Sequence, residues 1–277
     1  MRLWRTLPFA LSLSLSITAA AQQTPKSRPP GHNSPLTLDQ ILSNLELRNA
    51  QRAAALEQFE GKRIYRMQYH GFPGDKEGEI VVKVSFRAPD SKQFTVISET
   101  GSKFVIDHVL KKLLESEQDA FKGNNQQAMA LTRDNYDFQL AGYEPGPGSG
   151  QYVLKLLPKT KNKYLYRGTI WVDATDFAVV RIEGEPGKNP SLWIKKTDIA
   201  HRYAKVGEFW LPAENRTESS TRLGGRATLS IQYQDYKIIK ASPARAVKIV
   251  LQRDGLVGSA VDDSALWINR LPRPVTH

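Results

Sequence analysis

Apolar positions along this chain change their period three times. Near the start they recur every three or four residues. Leu38, Ile41 and Leu45 lead to Ala53, Leu56 and Phe59, while Arg48, Gln51, Arg52 and Glu57 fall largely off that stripe. This spacing predicts an amphipathic helix running to about Phe59 and ended by Gly61. Thr37 and Gln40 form a capping-box pattern just before the apolar run.

From Arg63 the period becomes two. Tyr65, Met67 and Tyr69 share one face. Ile80, Val82, Val84 and Phe86 point one way, with Val81, Lys83, Ser85 and Arg87 opposite, and Phe94 and Val96 follow in a third run. Phe72-Pro-Gly-Asp75 and Ala88-Pro-Asp-Ser91 supply turn chemistry between the runs. Clean alternation belongs to a sheet with one wet face, which is the antiparallel pattern. The helical period then returns over Lys103 to Phe121. Val105, Val109 and Leu113 are spaced by four, as are Ile106, Leu110 and Leu114. Asp107 and Lys111 add an acid-then-base pair worth about 0.2–0.5 kcal/mol. Residues 122–135 read as a loop.

From Tyr136 onward the chain is nearly all strand: 136–143, 151–157, 164–173, 177–185, 192–204, 208–218 and 226–239. Pro145-Gly-Pro-Gly148, Glu185-Pro-Gly187 and Leu223-Gly-Gly225 are turns, and Asp173-Ala-Thr-Asp176 is a hairpin connection. One stretch, Tyr164 to Gly184, departs from simple alternation. Trp171 stands between Ile170 and Val172, and Val179 adjoins Val180, so both faces are apolar and both need cover. That places it in the middle of a large curved sheet. The fold class expected is mainly β (α+β): a curved antiparallel half-open β-barrel of about ten strands, with two helices over its concave face.

The ends add a compartment. Arg2 and Arg5, the apolar run Leu7 to Ile17, and Ala19-Ala20-Ala21 before Gln22 read as a secretory signal over 1–21. The run is shorter than the roughly 20 residues a membrane span needs. Residues 22–35, rich in Pro, Gln and Ser, read as a flexible leader. The main domain is expected at 36–240. Residues 241–277 form a C-terminal extension, with an edge strand near Lys248 to Leu251 and an irregular tail. There is no cysteine, so no lipobox thiol, disulfide or thiol nucleophile. The picture is of a periplasmic protein without a lipid anchor.

The net charge is +11 at pH 7, and +9 without Arg2 and Arg5 of the signal, which would draw an exported protein to anionic lipid head groups, lipopolysaccharide phosphates or acidic polymers. Simple solubility is the other reading. The basic residues are scattered, which is not the footprint of a nucleic-acid binder. None of the five histidines stands at metal-ligand spacing from another, and no metal or cofactor is expected. Asp173, Asp176, Glu183 and Glu185 cluster in one hairpin and could in principle do acid/base work, but two of them are turn residues. With no nucleophile elbow or phosphate loop either, the chain does not read as an enzyme.

Gly168-Thr-Ile-Trp-Val-Asp173, Phe177 to Gly184 (FAVVRIEG), Val206 to Pro212 (VGEFWLP) and Ile231 to Tyr236 (IQYQDY) stand in succession within the long strand run. With the helix, strands, helix, strands order, they resemble the bacterial outer-membrane lipoprotein-sorting (LolA/LolB-like) superfamily, over roughly Leu36 to Ile239. The resemblance is to its LolA-like members. It implies a half-open barrel closed by helices over a hydrophobic cavity, and a carrier that takes acyl chains of a lipid or lipoprotein toward the outer membrane. It implies inner- and outer-membrane transfer proteins as partners, a monomer, and only peripheral membrane contact. On this reading Tyr65, Met67, Val82, Val84, Tyr166, Trp171, Trp193 and Trp210 line the cavity, and Arg48, Arg52 and Arg63 form a basic rim. Burying an acyl chain there gains about 0.8 kcal/mol per methylene. The alternative is a non-catalytic cell-envelope structural or interaction module whose core these side chains simply fill. N-terminal sequencing of exported protein should begin at Gln22; an uncleaved Met1 would overturn the signal assignment.

Overall fold

A computed structural model describes residues 36–89, 91–120, 129–146, 150–162, 164–189 and 194–242. The expected signal, leader and C-terminal extension beyond residue 242, and Trp193, lie outside the described residues.

Helix α1 spans Leu38–Ala55. The capping box is formed: the Gln40 amide donates to Thr37 Oγ1 at 3.3 Å, and the Thr37 amide donates to Gln40 Oε1 at 2.9 Å. The helix buries Ile41, Leu42, Leu45 and Ala55. It stops short of the Phe59 expected from its stripe, because strand β1 begins at Leu56 and runs to His70. Pairing with the last strand opposes Leu56 to Ala241 and Phe59 to Ile238. The Phe59 ring also stacks on Phe86 at 5.0 Å. A ladder and an aromatic contact outweigh one further turn of helix.

The remaining strands are β2 Lys76–Arg87, β3 Ser91–Gly101, β4 Tyr136–Glu144, β5 Gln151–Pro158, β6 Tyr166–Asp173, β7 Val179–Pro186, β8 Ile194–Val206, β9 Phe209–Thr221 and β10 Arg226–Ala241. They form one sheet in the order β3-β2-β1-β10-β9-β8-β7-β6-β5-β4. Every neighbouring pair is antiparallel. Among the described residues the sheet does not close, and β3 and β4 are its two edges. This is the half-open barrel architecture that the sequence resemblance implies. β3 and β4 are consecutive in the chain yet stand at opposite edges, and the second helix lies in the link between them.

That helix, α2, is built from Lys103–Val105, a π-helical turn Ile106–Leu110, and Lys111–Ala120. It buries Val105, Ile106, Val109, Leu110, Leu113 and Leu114. A stripe spaced strictly by four drifts around a helix of about 3.6 residues per turn. The wider π turn takes up the excess and keeps the stripe on the sheet side. At the start of α2 the packing is tight: a Cβ on Gly78 of β2 would stand 2.9 Å from Val105 Cγ1.

Across β6 and β7, Gly168 faces Gly184. A Cβ on Gly168 would stand 2.0 Å from the Glu183 carbonyl oxygen, and one on Gly184 would stand 2.2 Å from that of Arg167. Two backbones come too close here for any side chain. Next along β6, Ile170 pairs with Ile182 on the inner face, which turns Trp171 outward. The cover for that outer side is Arg181 on β7, whose guanidinium lies 3.8 Å from the Trp171 ring centroid. Arg181 in turn lies 2.8 Å from the Glu183 carboxylate.

Gly168→Ala should therefore destabilise the fold by about 1–3 kcal/mol, seen as a lower urea midpoint. An unchanged midpoint would show that β6 and β7 yield without cost.

Candidate functional site

The inner face of β1, β2 and β10 is sealed. Tyr65, Met67, Val82 and Val84, all expected to line a cavity, have 0–1% of their surface accessible. A cavity open to water would leave accessible area on its walls. Tyr166 is also buried; its ring meets His201 edge-on at 5.6 Å, and its amide donates to Tyr136 Oη at 3.1 Å. Two shallow depressions of about 550 and 490 Å3 do exist, but they lie on the outer face around Arg167. The first is walled by charged side chains such as Glu183, Asp198 and Arg216.

The interior under α2 is not wholly apolar. Glu117 takes the next place in the stripe after Val105, Val109 and Leu113, and it has no exposed surface. Opposite it stands Arg63, in phase with Tyr65 and Met67 on β1. Arg63 Nη1 donates to Glu117 Oε2 at 2.9 Å and to Tyr65 Oη at 3.2 Å. Tyr65 Oη donates to Glu117 Oε1 at 3.0 Å. Lys92, from edge strand β3, reaches the same carboxylate at 3.4 Å. Tyr233 lies 4.7 Å beneath the Arg63 guanidinium and accepts a hydrogen bond from Asn215 Nδ2 at 2.7 Å.

Arg63, expected at a basic rim, is thus an interior residue with 4% of its surface exposed. Taking these charges out of water costs several kcal/mol per ion, and their mutual contacts repay it only in this geometry. The clue was in the sequence: Glu117 interrupts the stripe, and Arg63 shares the phase of buried neighbours.

Helix α1 is held differently. Arg133, just before β4, donates to Glu46 Oε2 at 2.8 Å, the Asp39 carbonyl at 2.9 Å and Ser43 Oγ at 3.1 Å. At the other end Arg52 donates to the Asp176 and Phe177 carbonyls at 2.8 and 3.0 Å and to Asn49 Oδ1 at 2.7 Å. Burial lowers the pKa of Arg52, opposed chiefly by the nearby Asp176 charge. Arg48, one turn earlier, is exposed and donates to Gln51 Oε1 at 3.3 Å.

The hairpin carboxylates have structural duties. Asp173 Oδ1 accepts from the Thr175 and Asp176 amides at 2.9 and 2.7 Å, closing the turn. Asp176 Oδ2 accepts from Lys205 Nζ at 2.7 Å and from Trp210 Nε1 at 2.8 Å. Trp210, expected in the cavity, is therefore a half-buried part of this clamp. Trp171 is on the outer face beneath Arg181. Of the expected lining among the described residues, Tyr65, Met67, Val82, Val84 and Tyr166 stand among the buried inner-face residues.

Neither a protein-family model nor a curated protein matches the sequence. Among solved structures, similar ones include the LolA superfamily protein NE2245 of Nitrosomonas europaea, at 13% identity. That match covers 73% of this chain and 94% of the other, with a TM-score of 0.32. A DUF1329 family protein of Desulfovibrio piger matches at 14% identity, over 72% and 93% of the two chains, with a TM-score of 0.34. An outer membrane lipoprotein-sorting protein domain of Vibrio parahaemolyticus matches at 10% identity, over 79% and 96%, also with a TM-score of 0.34. At such identities and scores, none assigns a role to a residue of this chain.

The Asp176 clamp gives a signed pH dependence. The hydrogen bond from Lys205, then that from Trp210, holds this carboxyl below its ordinary range against the opposing effect of burial. Its stabilisation is complete above the unfolded value of about 3.9 and is lost as pH falls through the lower folded value. Asp176→Asn should lower the melting temperature at pH 7, and the gap to the parent protein should close in strong acid. Thermal melts from pH 7 downward check this; a gap that stays constant with pH would refute it.

Proposed function

We propose that this chain is a non-enzymatic periplasmic carrier or binding protein for the acyl chains of a lipid or lipoprotein, delivering them toward the outer membrane. The acyl chains enter between α2 and the inner face of the sheet. The observation that carries this reading is the manner in which α2 is attached. An apolar sheet face is covered by an amphipathic helix whose last third is held through the Arg63–Tyr65–Lys92–Glu117 cluster. When α2 lifts, those groups regain water, which offsets the contacts they lose. An incoming chain of roughly fifteen methylenes supplies on the order of 12 kcal/mol of burial in place of the helix. The exported, basic character of the sequence and its resemblance to lipoprotein-sorting proteins support the same reading.

A second reading, the cell-envelope interaction module with a filled core, is favoured by one observation. Tyr65, Ile80 and Val82 have no accessible surface at all.

Titration of delipidated protein with a fluorescent fatty acid separates the two. The carrier gives saturable uptake that unlabelled palmitate reverses. Glu117→Gln, which removes the anion that pairs α2 with Arg63 and Lys92, speeds that uptake several-fold while weakening the fold. If no uptake occurs and native mass spectrometry finds only apo protein, the carrier reading is wrong and the module stands.

A further inference from the structure

Two turns at one end of the sheet present large apolar side chains to water. Phe72, in the β1–β2 turn, is 76% exposed, and Leu223, in the β9–β10 turn, is 58% exposed. Turn chemistry asks for neither residue. The two turns are neighbours, because β1 pairs with β10 up to His70 opposite Arg226. They touch: a Cβ on Gly71 would stand 2.6 Å from the Gly225 Cα.

Both turns are held in place. Tyr69 Oη donates to the Phe72 carbonyl at 2.7 Å, and its ring lies over Gly225. The Gly74 amide donates to the Gly71 carbonyl at 2.7 Å. Across the second turn, the Thr221 amide donates to the Gly225 carbonyl at 2.8 Å, and the Gly225 amide to Thr221 Oγ1 at 2.9 Å. Gly224 at the tip has φ +87°, the left-handed region that glycine adopts without strain. The apolar residues are thus displayed on hydrogen-bonded hairpin ends.

The flanking charge is basic in balance. Arg222 precedes Leu223, Arg226 follows the turn, and Lys76 opens β2. Asp75 is engaged by His70 Nδ1 at 2.8 Å and by the Gly71 amide at 3.1 Å.

We propose that the paired tips bearing Phe72 and Leu223 are a docking surface for an anionic lipid bilayer. Two protruding side chains are far too small a footprint for a stable protein interface, which needs on the order of 1,000 Å2. A bilayer has no such requirement. Each apolar side chain that enters the interfacial region contributes separately, and nearby Lys and Arg add attraction to anionic head groups. Arg222 and Arg226 flank Leu223 in the chain, so their positive charge accompanies that residue to the membrane surface. This surface is independent of any cargo site, since neither residue belongs to the sealed inner face.

The test uses the exported protein and sedimentation with vesicles of phosphatidylglycerol and phosphatidylethanolamine, against vesicles of phosphatidylcholine alone. The protein should pellet with the anionic vesicles and much less with the neutral ones. The double variant Phe72→Ser/Leu223→Ser should lose about tenfold or more in partitioning with an unchanged melting temperature. Arg222→Gln/Arg226→Gln should remove the preference for anionic vesicles. Equal pelleting of parent and Phe72/Leu223 variant, or no pelleting of the parent, overturns the proposal. So does a parent that self-associates in sedimentation velocity through these residues but ignores vesicles. Fatty-acid uptake by the same variants should be unchanged.

Discussion

An open sheet with an apolar inner face has to be covered, and in this protein α2 is the cover over β1 and β2. The four-residue spacing of the α2 stripe, the π turn that accommodates it, and the bare Gly78 that lets Val105 come close all serve one contact. A closed barrel would satisfy its own edges; here β3 and β4 end the sheet among the described residues, and the chain passes from one to the other through the segment that contains α2. The cover and the crossover are the same piece of chain.

The two helices are secured by different physics. α1 is pinned by guanidinium groups donating to backbone carbonyls: Arg133 at its first turns and Arg52 at its last. Such contacts are directional and tie the helix to the hairpin whose tip Asp176 is itself held by Lys205 and Trp210. α2 is held by apolar packing together with one buried ionic cluster and an ion pair from Lys111 to Glu99 of β3 at 3.0 Å. Packing is non-directional and is replaceable by another apolar body, and ions recover hydration on release. α1, which also buries Ile41, Leu42 and Leu45, thus carries the directional contacts to backbone carbonyls, and α2 the buried ionic ones.

Charge is also distributed by purpose rather than by count. On the outer face, Arg181 covers Trp171, and Lys196 and Arg216 lie within ion-pair distance of Asp198 and Glu218 on their own strands. In the interior Arg63 and Lys92 meet Glu117. At the hairpin ends, Arg222 and Arg226 stand beside exposed Leu223. A single net charge therefore describes three different electrostatic situations.

The sequence alone was enough for the element order, the antiparallel character of the sheet and the place of nearly every turn. Period and turn chemistry are local properties, and neighbours in the chain carry them. It also carries two further signals: Glu117 on an apolar stripe, and Arg63 in the inward phase of β1. Each is a lone charge at a buried position, and only the fold shows that they face each other across 54 residues of chain. Tertiary structure likewise decided that the Leu56 to Phe59 stretch is strand, because its partner β10 lies at the other end of the domain. It turned Trp171 outward under Arg181, and it brought the turns that carry Phe72 and Leu223 together at Gly71 and Gly225. Those outcomes depend on which strand lies next to which, and no local period encodes that.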